Sequence, residues 1–332
     1  MPAELEPRVI HINDCANVAR TLVDEAHRRN LSWDFMPPDA VRPGQGFGSG
    51  MKARLAQLPY QLRHASAALG HDVLHFHYGT TPSVFDKPFL PRKPYLLHLH
   101  GTDIRTQWPQ PAFHDQIQRA IDGAQGVYYT TLDLEENATA ARPDAQYLPA
   151  PLMFDRIPEW SAPEGRTRIS FASRWDDSKN VALQLETAAA LVKAFPDAEV
   201  LGLDWGPGAA EAQRLGVRLV PKMPHGDFLD YLAGASVVVG QSAGILAVSE
   251  LEALAAGVVV ACPGTQWTGP AGEPPVLQGT PEEIVEQVRV TLEDPAAMAS
   301  RLSGPAWVRK NHSAADQVAL LQSAYRAAAS SS

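Results

Sequence analysis

The chain has 332 residues, of which 45% are hydrophobic and 20% are charged, and its formal net charge is −9. This length exceeds that of one ordinary domain and predicts two, while the composition argues against extended disorder. The acidic balance disfavours a protein that coats nucleic acid or anionic lipid, and two distant cysteines, Cys15 and Cys262, exclude a disulfide framework and a thiolate zinc site.

The first half of the chain alternates short apolar runs with helix-length amphipathic stretches. Strands are predicted at 8–12, 72–77, 95–100 and 126–130, and helices at 16–29, 51–69 and 113–123. The strands are almost continuously hydrophobic, which is typical of a parallel sheet that is covered on both faces. We therefore predict a Rossmann-like, doubly wound α/β domain over residues 1–155.

A cluster of prolines between residues 148 and 165 indicates a linker, and a second alternation follows it. Strands are predicted at 168–172, 198–203, 217–220, 236–240 and 258–261, and helices at 181–195, 226–233, 249–256 and 281–292. This pattern predicts a second Rossmann-like α/β domain over 165–310, and a last helix over 313–328 that could pack back on the first domain. Two facing domains of this kind would form a cleft outside the carboxyl ends of their strands.

A polar loop after the predicted strand 168–172 carries Arg174 and Lys179. Arginine offers a planar fork of donors and lysine a mobile point charge, a pair that suits a diphosphate. The alternative is a solvated loop whose charges are balanced by Asp176 and Asp177.

A loop of small residues precedes the predicted helix 249–256. Free amides around 245–248, at the start of that helix, would form an anion site. Glu250 and Glu252 lie in the first helical turns, where the helix dipole stabilises carboxylates. A capping role is therefore one interpretation. The other is that one carboxylate accepts hydrogen bonds from the two hydroxyls of a ribose.

Two predicted strands end in alternating histidines, His75 with His77 and His98 with His100. Residues two apart share one face of a strand, so each pair could chelate a metal or line a cleft. A metal needs three or four ligands and the spacing completes no such set, so we expect no metal. We interpret His75 and His98 as buried, hydrogen-bonded core residues, and His100, next to Gly101 where the backbone turns, as the functional histidine.

Known phosphate and metal motifs are absent from the sequence. The glycines over 43–50 do not follow the G-x-G-x-x-G spacing, so a loop near the cleft is predicted there. No D-x-D sequence could hold a metal-bridged diphosphate. No apolar run approaches the roughly 18 residues of a membrane span, and the N-terminus has no secretory pattern, so a cytoplasmic protein without a transmembrane segment is expected.

Taken in order, several segments resemble the GT-B retaining glycosyltransferases of the GT4-type family. They are D-V-L-H-F-H-Y-G at 72–79, H-G-T-D-I at 100–104, S-R-W-D-D-S-K-N at 173–180, V-P-K-M-P-H at 220–225 and E-A-L-A-A-G at 252–257. The resemblance implies two Rossmann-like domains that face each other across a cleft. It also implies metal-independent, retaining transfer of a sugar from a nucleotide-diphosphate donor to a hydroxyl or amine acceptor, with no cofactor.

The same resemblance implies a role for individual residues. Arg174 and Lys179 would hold the diphosphate, and Glu252 would bind the ribose hydroxyls. The backbone of Lys222, Met223 and Pro224 would contact the base. His100 would lie near the donor sugar with Gly101 and Asp103 in the cleft, and the amides of Ile245, Leu246, Ala247 and Val248 would lie near the phosphates and the sugar.

The sequence departs from the family pattern at two places. Gly244 stands where the first glutamate of the E-x7-E motif is expected, which leaves a catalytically silent homologue that acts as a binding partner as the alternative. Asn13 and Asp14 replace a glycine-rich turn, and we expect one of them to contact the acceptor. Hydrolysis or epimerisation of a nucleotide sugar is a third option. The basic residues at 51–54 and Arg63 are sparse, so a soluble small molecule or glycan is favoured as acceptor over a membrane lipid.

Overall fold

The computed structural model describes residues 6–43, 51–163 and 165–330, which form two compact units. One unit consists of Met1–Pro151 together with Ala314–Ser332, and the other of Leu152–Ser313. The chain therefore leaves the first unit once, completes the second, and returns to the first with its last helix. The predicted glycine loop at 44–50 lies outside the described residues.

Each unit contains one six-stranded sheet in which every pairing is parallel. The strands of the first sheet are β1 Val9–Ile12, β2 Trp33–Met36, β3 Val73–His77, β4 Tyr95–Leu99, β5 Gly126–Tyr129 and β6 Gln146–Tyr147. Those of the second are β7 Arg168–Phe171, β8 Glu199–Leu203, β9 Arg218–Val220, β10 Val237–Val239, β11 Val259–Pro263 and β12 Leu277–Gly279.

Helices connect the strands and cover the sheets. They are α1 Val18–Arg28, α2 Pro38–Val41, α3 Met51–Gly70, α4 Pro111–Asp122, α5 Glu135–Ala141, α6 Val181–Ala194, α7 Ala209–Arg214, α8 His225–Ala233, α9 Val248–Ala256, α10 Pro281–Glu293, α11 Pro295–Leu302, α12 Gly304–Asn311 and α13 Ala314–Ser330. In the part of the chain that the structure describes, no helix is long and apolar enough to cross a membrane.

The first sheet has the order β2-β1-β3-β4-β5-β6 and is buried on both faces. Ile10 and Ile12 pack into the core on one face, while Val9 belongs to a second core on the other face, which includes residues of α1 and α13. This double coverage explains why the strands are apolar at consecutive positions. The strand order reverses between β1 and β3, so ligands are expected outside the carboxyl ends of these two strands.

The second sheet has the order β12-β11-β10-β7-β8-β9, and its order reverses between β7 and β10. Its core is built from aliphatic residues of the central strands together with Phe171 and Trp175. The loops that follow β7 and β10 leave the same edge of the sheet at neighbouring positions, because the two strands pair in parallel. These loops are the ones that carry Arg174 and residues 241–247.

A buried tryptophan fixes the loop that follows β7. The indole Nε1 of Trp175 donates a hydrogen bond to the carbonyl of Leu203 at 3.0 Å, and its backbone N–H donates to the carbonyl of Trp205 at 2.9 Å. Gly206, at φ +108°, must be a glycine because a Cβ there would lie 2.4 Å from the carbonyl oxygen of Trp175. The loops after β7 and β8 are therefore held together.

Candidate functional site

Arg174 lies in the loop after β7 and is ion-paired within its own loop. Its guanidinium pairs with Asp176, and its Nη2 donates to Oγ of Ser178 at 3.2 Å. This is the charge balance that the sequence offers as the alternative to diphosphate binding. The Arg174 side chain is nevertheless 39% exposed, so an anion could reach it by competing with Asp176.

The Lys179 turn contacts the loop after β10. The amide of Ser242 donates to the Lys179 carbonyl at 3.2 Å, and Nδ2 of Asn180 donates to the Ser242 carbonyl at 3.2 Å. Asn180 adopts a left-handed conformation with φ +55°, which a short polar side chain tolerates. The structure thus brings the Arg174 and Lys179 segment together with the 241–247 loop, as the parallel pairing of β7 and β10 requires.

Glu250 organises the 241–247 loop from inside the protein. Its carboxylate is fully buried and accepts from Oγ of Ser173 at 3.1 Å, from the amide of Gln241 at 3.0 Å and from the amide of Ala247 at 2.7 Å. The capping interpretation of Glu250 is therefore confirmed. The prediction that all four amides of Ile245–Val248 face an anion is wrong for Ala247, because Glu250 takes its N–H.

The start of α9 still offers backbone donors. Ala247 is the N-cap residue, and an alanine has no side-chain acceptor for the first-turn amides of the helix. Those amides, beginning with that of Val248, carry the positive end of the helix dipole. The residues Ile245 and Leu246 are half-buried beside them.

A side chain at Gly244 would be both strained and crowded. It has φ +79°, and a Cβ would lie 3.1 Å from Cδ1 of Trp267 and 3.2 Å from the carbonyl oxygen of Thr265. The Gly244 carbonyl also accepts a hydrogen bond from the amide of Trp267 at 2.8 Å. The position expected to hold the first glutamate of the E-x7-E motif is therefore crowded by Trp267 and by the Thr265 carbonyl.

Glu252 is buried and has a side-chain hydrogen-bond partner. Its Oε1 lies 2.7 Å from Nε2 of His225, whose side chain is 56% exposed at the start of α8. The hydrogen bond with Glu252 raises the pKa of His225 above its ordinary value of 6.5, against the smaller opposing effect of burial. His225 is the last residue of the segment 220–225, yet its contact with Glu252 could not be predicted from the spacing of the two residues in the sequence.

Trp205 is a site residue that sequence reasoning missed. Its ring centroid is 4.2 Å from Nζ of Lys222 and 5.6 Å from Cζ of Arg174, so one indole contacts two cations. It is 42% exposed. Lys222 and Pro224 are exposed and Met223 is half-buried. An aromatic residue two positions after the predicted strand 198–203 is the signal that could have indicated it.

The first unit has a pocket of about 360 Å³ outside the ends of β1 and β3. It is lined by Asn13, Cys15, Arg42, Tyr78, Thr80, Gln107, Phe113 and Gln116. Two lining residues have left-handed backbones, Asn13 at φ +74° and Tyr78 at φ +92°, a strain that occurs at binding sites. Asn13 therefore lies in a pocket, whereas Asp14 caps α1 by accepting from the amide of Ala19 at 3.0 Å.

Asp103 does not face a cleft. It is fully buried and accepts from the amides of Gly79 at 2.8 Å, Gly101 at 2.9 Å, Ile104 at 3.0 Å and His100 at 3.1 Å. Burial raises the pKa of this carboxyl, while the four amides oppose the rise. The prediction that Asp103 and Gly101 are cleft residues is wrong, because the carboxylate holds the turn after β4 and Gly101 is buried within it at φ +137°.

Five histidines from β1, β3 and the end of β4 share one face of the first sheet, and we call them the histidine face. They are His11, His75, His77, His98 and His100. As predicted, His75 and His98 are buried and hydrogen-bonded, to the Tyr325 hydroxyl at 2.5 Å and the Leu148 carbonyl at 3.1 Å. Burial lowers the pKa of all five, to about 3 for His11 and about 4 for His98, so they are neutral at neutral pH.

No known family profile matches the chain, and no curated protein matches it in sequence. Solved structures do resemble it. A sucrose-phosphate synthase from Thermosynechococcus elongatus has a TM-score of 0.70 at 16% identity, covering 98% of this chain and 100% of its own. HepE of Anabaena, in complex with UDP and glucose, has a TM-score of 0.67 at 15% identity over 95% of this chain and 99% of its own.

A trehalose-6-phosphate synthase, studied for glycosyl transfer with retention, has a TM-score of 0.67 at 12% identity over 96% of this chain and 99% of its own. At these identities the likeness concerns the fold. The two parallel α/β sheets of this chain have the GT-B fold of these glycosyltransferases.

Proposed function

We propose that this protein is a retaining glycosyltransferase that moves a sugar from a nucleotide-diphosphate donor to a hydroxyl or amine acceptor. The observation that carries the proposal is the convergence of Arg174, Lys179 and the start of α9 at the β7–β10 reversal of the second sheet. Such a reversal is where α/β sheets bind ligands. The proposal is supported by the fold shared with a sucrose-phosphate synthase, a trehalose-6-phosphate synthase and a structure in complex with UDP and glucose.

In this proposal the second unit holds the donor. Arg174 and Lys179 bind the diphosphate and stabilise the negative charge that develops on it as the sugar leaves. Because two cations meet that charge, no metal is required at the diphosphate. The first-turn amides of α9 face the phosphates and the sugar. Glu252 binds the ribose hydroxyls, and the segment from Lys222 to Pro224 contacts the base beside Trp205.

The acceptor belongs to the first unit, in the pocket that Asn13 lines, and His100 is the residue of this unit that we expect nearest the sugar. A soluble acceptor is proposed. One observation favours a lipid instead, since Leu55, Leu62 and Leu69 of α3 are 60%, 70% and 68% exposed. The acceptor screen therefore includes phospholipid vesicles beside soluble sugars, polyols and hydroxy acids.

The first experiment is a calorimetric titration with UDP, GDP, ADP, TDP and CDP without added metal. We expect one nucleotide to bind, and the Arg174→Ala variant to lose that binding. The matched control is Arg214→Ala, which removes an exposed arginine that pairs with Glu211 on α7. Binding of none of the five nucleotides by the folded protein would favour the catalytically silent homologue.

The second experiment follows turnover of the matching sugar nucleotide. Transfer predicts nucleotide release that depends on the acceptor, and NMR of the product should show the anomeric configuration of the donor. Release without acceptor would indicate hydrolysis, and a changed sugar on an intact nucleotide would indicate epimerisation. Lys179→Ala should lose about 2–4 kcal/mol of transition-state stabilisation, which is a rate loss of roughly 30-fold or more. An unchanged rate would contradict its assigned role.

A further inference from the structure

The histidine face contains a chain of hydrogen bonds whose direction is fixed at one end. The Thr130 hydroxyl has one proton and donates it to the Leu99 carbonyl at 2.7 Å, so its oxygen must accept from Nδ1 of His100 at 3.1 Å. In an uncharged imidazole a proton on Nδ1 leaves Nε2 as an acceptor, so Nε2 of His100 accepts the proton on Nδ1 of His77, 3.0 Å away. Each neutral imidazole thus sets the tautomer of the next.

The same reasoning extends the chain across β1 to the last helix. Nε2 of His77 accepts from Nδ1 of His11 at 3.0 Å, and Nε2 of His11 then accepts from the Tyr325 hydroxyl at 3.1 Å. The Tyr325 oxygen in turn accepts from Nδ1 of His75 at 2.5 Å. Every proton in the chain therefore points from the His75 end towards Thr130.

One histidine of the face stands outside this chain. Nε2 of His98 donates to the Leu148 carbonyl, so Nδ1 of His98 carries a lone pair, and among the described residues this buried nitrogen has no hydrogen-bond partner. A buried acceptor without a partner is costly, and an ion is one of the groups that account for such an atom. One ring nitrogen each of His77, His98 and His100 lies within 4.8 Å of the others.

We infer that His77, His98 and His100 form a binding site for a transition-metal ion of the Zn²⁺ class, with Nδ1 of His77, Nδ1 of His98 and Nε2 of His100 as ligands. Three neutral imidazoles are a ligand set that suits Zn²⁺ and leaves a fourth position open to water or a ligand oxygen. Nothing in this inference depends on the proposed sugar transfer.

The support behind each ligand is already in place. A metal-bound histidine normally donates its other ring N–H to a fixed acceptor. His98 donates to the Leu148 carbonyl, and His100 donates to Thr130, which is itself held by Leu99. His77 gains the same support if its proton moves from Nδ1 to Nε2, because Nδ1 of His11 can then accept it. The chain from His77 to His75 reverses, so the Tyr325 hydroxyl donates to Nδ1 of His75 and His75 carries its own proton on Nε2. No charge is created.

The distances are close to those that a metal requires. Zinc–nitrogen bonds are about 2.0–2.1 Å, so ligand nitrogens in a tetrahedral site lie roughly 3.3 Å apart. The His77 and His100 nitrogens are 3.0 Å apart, and shifts on the order of 1 Å would bring in the third. His11, His75 and His77 offer a second set of three nitrogens, but all three residues are fully buried, whereas His100 is partly exposed and gives an ion a way in.

The sequence alone gave no reason to expect this site. Two histidines on one strand supply too few ligands, and the expectation of no metal followed from that count. The parallel register pairs His77 with His98 directly, so neighbouring strands complete the set. A single strand pattern cannot show this.

The test is binding of Co²⁺ to the purified chain, followed by its visible absorption, with zinc content measured by mass spectrometry after dialysis. We expect one tightly bound ion with the intense bands of a four-coordinate site. His98→Gln and His100→Gln should each weaken Co²⁺ binding at least tenfold, while His114→Gln, a histidine on α4 whose Nδ1 contacts the Trp108 carbonyl, should not. Circular dichroism checks that each variant folds.

A second variant distinguishes the loss of a metal ligand from the loss of the folded structure. His100→Cys replaces a partly exposed ligand by another ligand, and it should keep Co²⁺ and add a sulfur charge-transfer band in the near ultraviolet. The inference is overturned if the folded wild type binds no Co²⁺, or if His98→Gln and His100→Gln bind it as well as wild type. It is also overturned if His75→Gln alone abolishes binding, since the ion would then occupy the other set.

Discussion

Nε2 of His225 lies 2.7 Å from Oε1 of Glu252, and this pair joins the exposed start of α8 to a buried carboxylate of α9. The pair sits in the proposed ribose site, where a ligand hydroxyl would meet a carboxylate that already has a partner. Glu252 is thereby held in one orientation before any ligand arrives, and its charge can be balanced when His225 is protonated.

The raised pKa of His225 predicts a pH-dependent stability. Protonated His225 stabilises the folded state, so its contribution should be complete below about pH 6.5 and should disappear as the pH rises through the higher folded pKa. The difference in melting temperature between wild type and His225→Gln should therefore be largest below about pH 6.5 and should fall as the pH rises through the folded-state pKa of His225. Glu252→Gln should remove the same pH dependence. A difference that stays constant with pH would contradict the assignment.

The conformation and surroundings of Gly244 predict that replacing it by alanine destabilises the protein for two separable reasons. Gly244→Ala must place a Cβ at positive φ and against Trp267, and we expect a loss of unfolding free energy above the ~1–2 kcal/mol of left-handed strain. Gly272 is a matched control, since it has the same φ of +79° and no atom within 4 Å of its Cβ position. Urea unfolding of both variants measures the steric part as their difference. Equal losses of unfolding free energy in the two variants would show that the Trp267 side chain moves away from the new Cβ at no cost.

Substitution of Glu250 is predicted to lower the free energy of unfolding, because this carboxylate holds the backbone of the 241–247 loop. Glu250→Ala leaves the buried amide of Gln241 and the partly buried amide of Ala247 without their acceptor, at about 1–3 kcal/mol each in unfolding free energy at most. Glu250→Gln keeps one oxygen and should lose roughly half as much. Chemical denaturation measures both. A loss below about 1 kcal/mol for Glu250→Ala would mean that water replaces the carboxylate.

Trp205 is predicted to support nucleotide binding through the two cations on its ring. Trp205→Ala should weaken binding of the nucleotide found by calorimetry about fivefold to thirtyfold, because Arg174 and Lys222 lose a contact worth about 0.5–1 kcal/mol each. Trp205→Phe keeps an aromatic face and should retain most of the affinity. Equal affinity of Trp205→Ala and wild type would remove Trp205 from the site.

The interior strands could be predicted from the sequence, whereas among the edge strands of the described residues only β9 could. Each of the nine predicted strands overlaps an observed strand, whereas β2, β6 and β12 were missed, and each of these lies at the edge of a sheet. An edge strand is covered less completely, so its sequence needs fewer apolar residues. The segments Trp33–Met36, Gln146–Tyr147 and Leu277–Gly279 are short and contain polar residues, which hides them from a hydrophobicity pattern.

The candidate site, like the fold, could be predicted from the sequence only in part. The sequence indicates which loops leave the ends of the strands, because that follows from the order of the elements. It does not indicate which polar side chains turn inward to hold the backbone. Asp14, Asp103 and Glu250 all accept hydrogen bonds from backbone amides close to them in the chain. A carboxylate next to a strand end satisfies the backbone as readily as a ligand, and only the fold distinguishes the two.

The return of α13 to the first unit has a consequence for the order of events during synthesis. Tyr325 is fully buried over the histidine face, and Arg326 pairs with Glu6. Residues Leu152–Ser313 leave the ribosome before either of them, and can complete a core of their own. The unit that is translated first should therefore finish folding last, when its final helix emerges and covers the buried histidines.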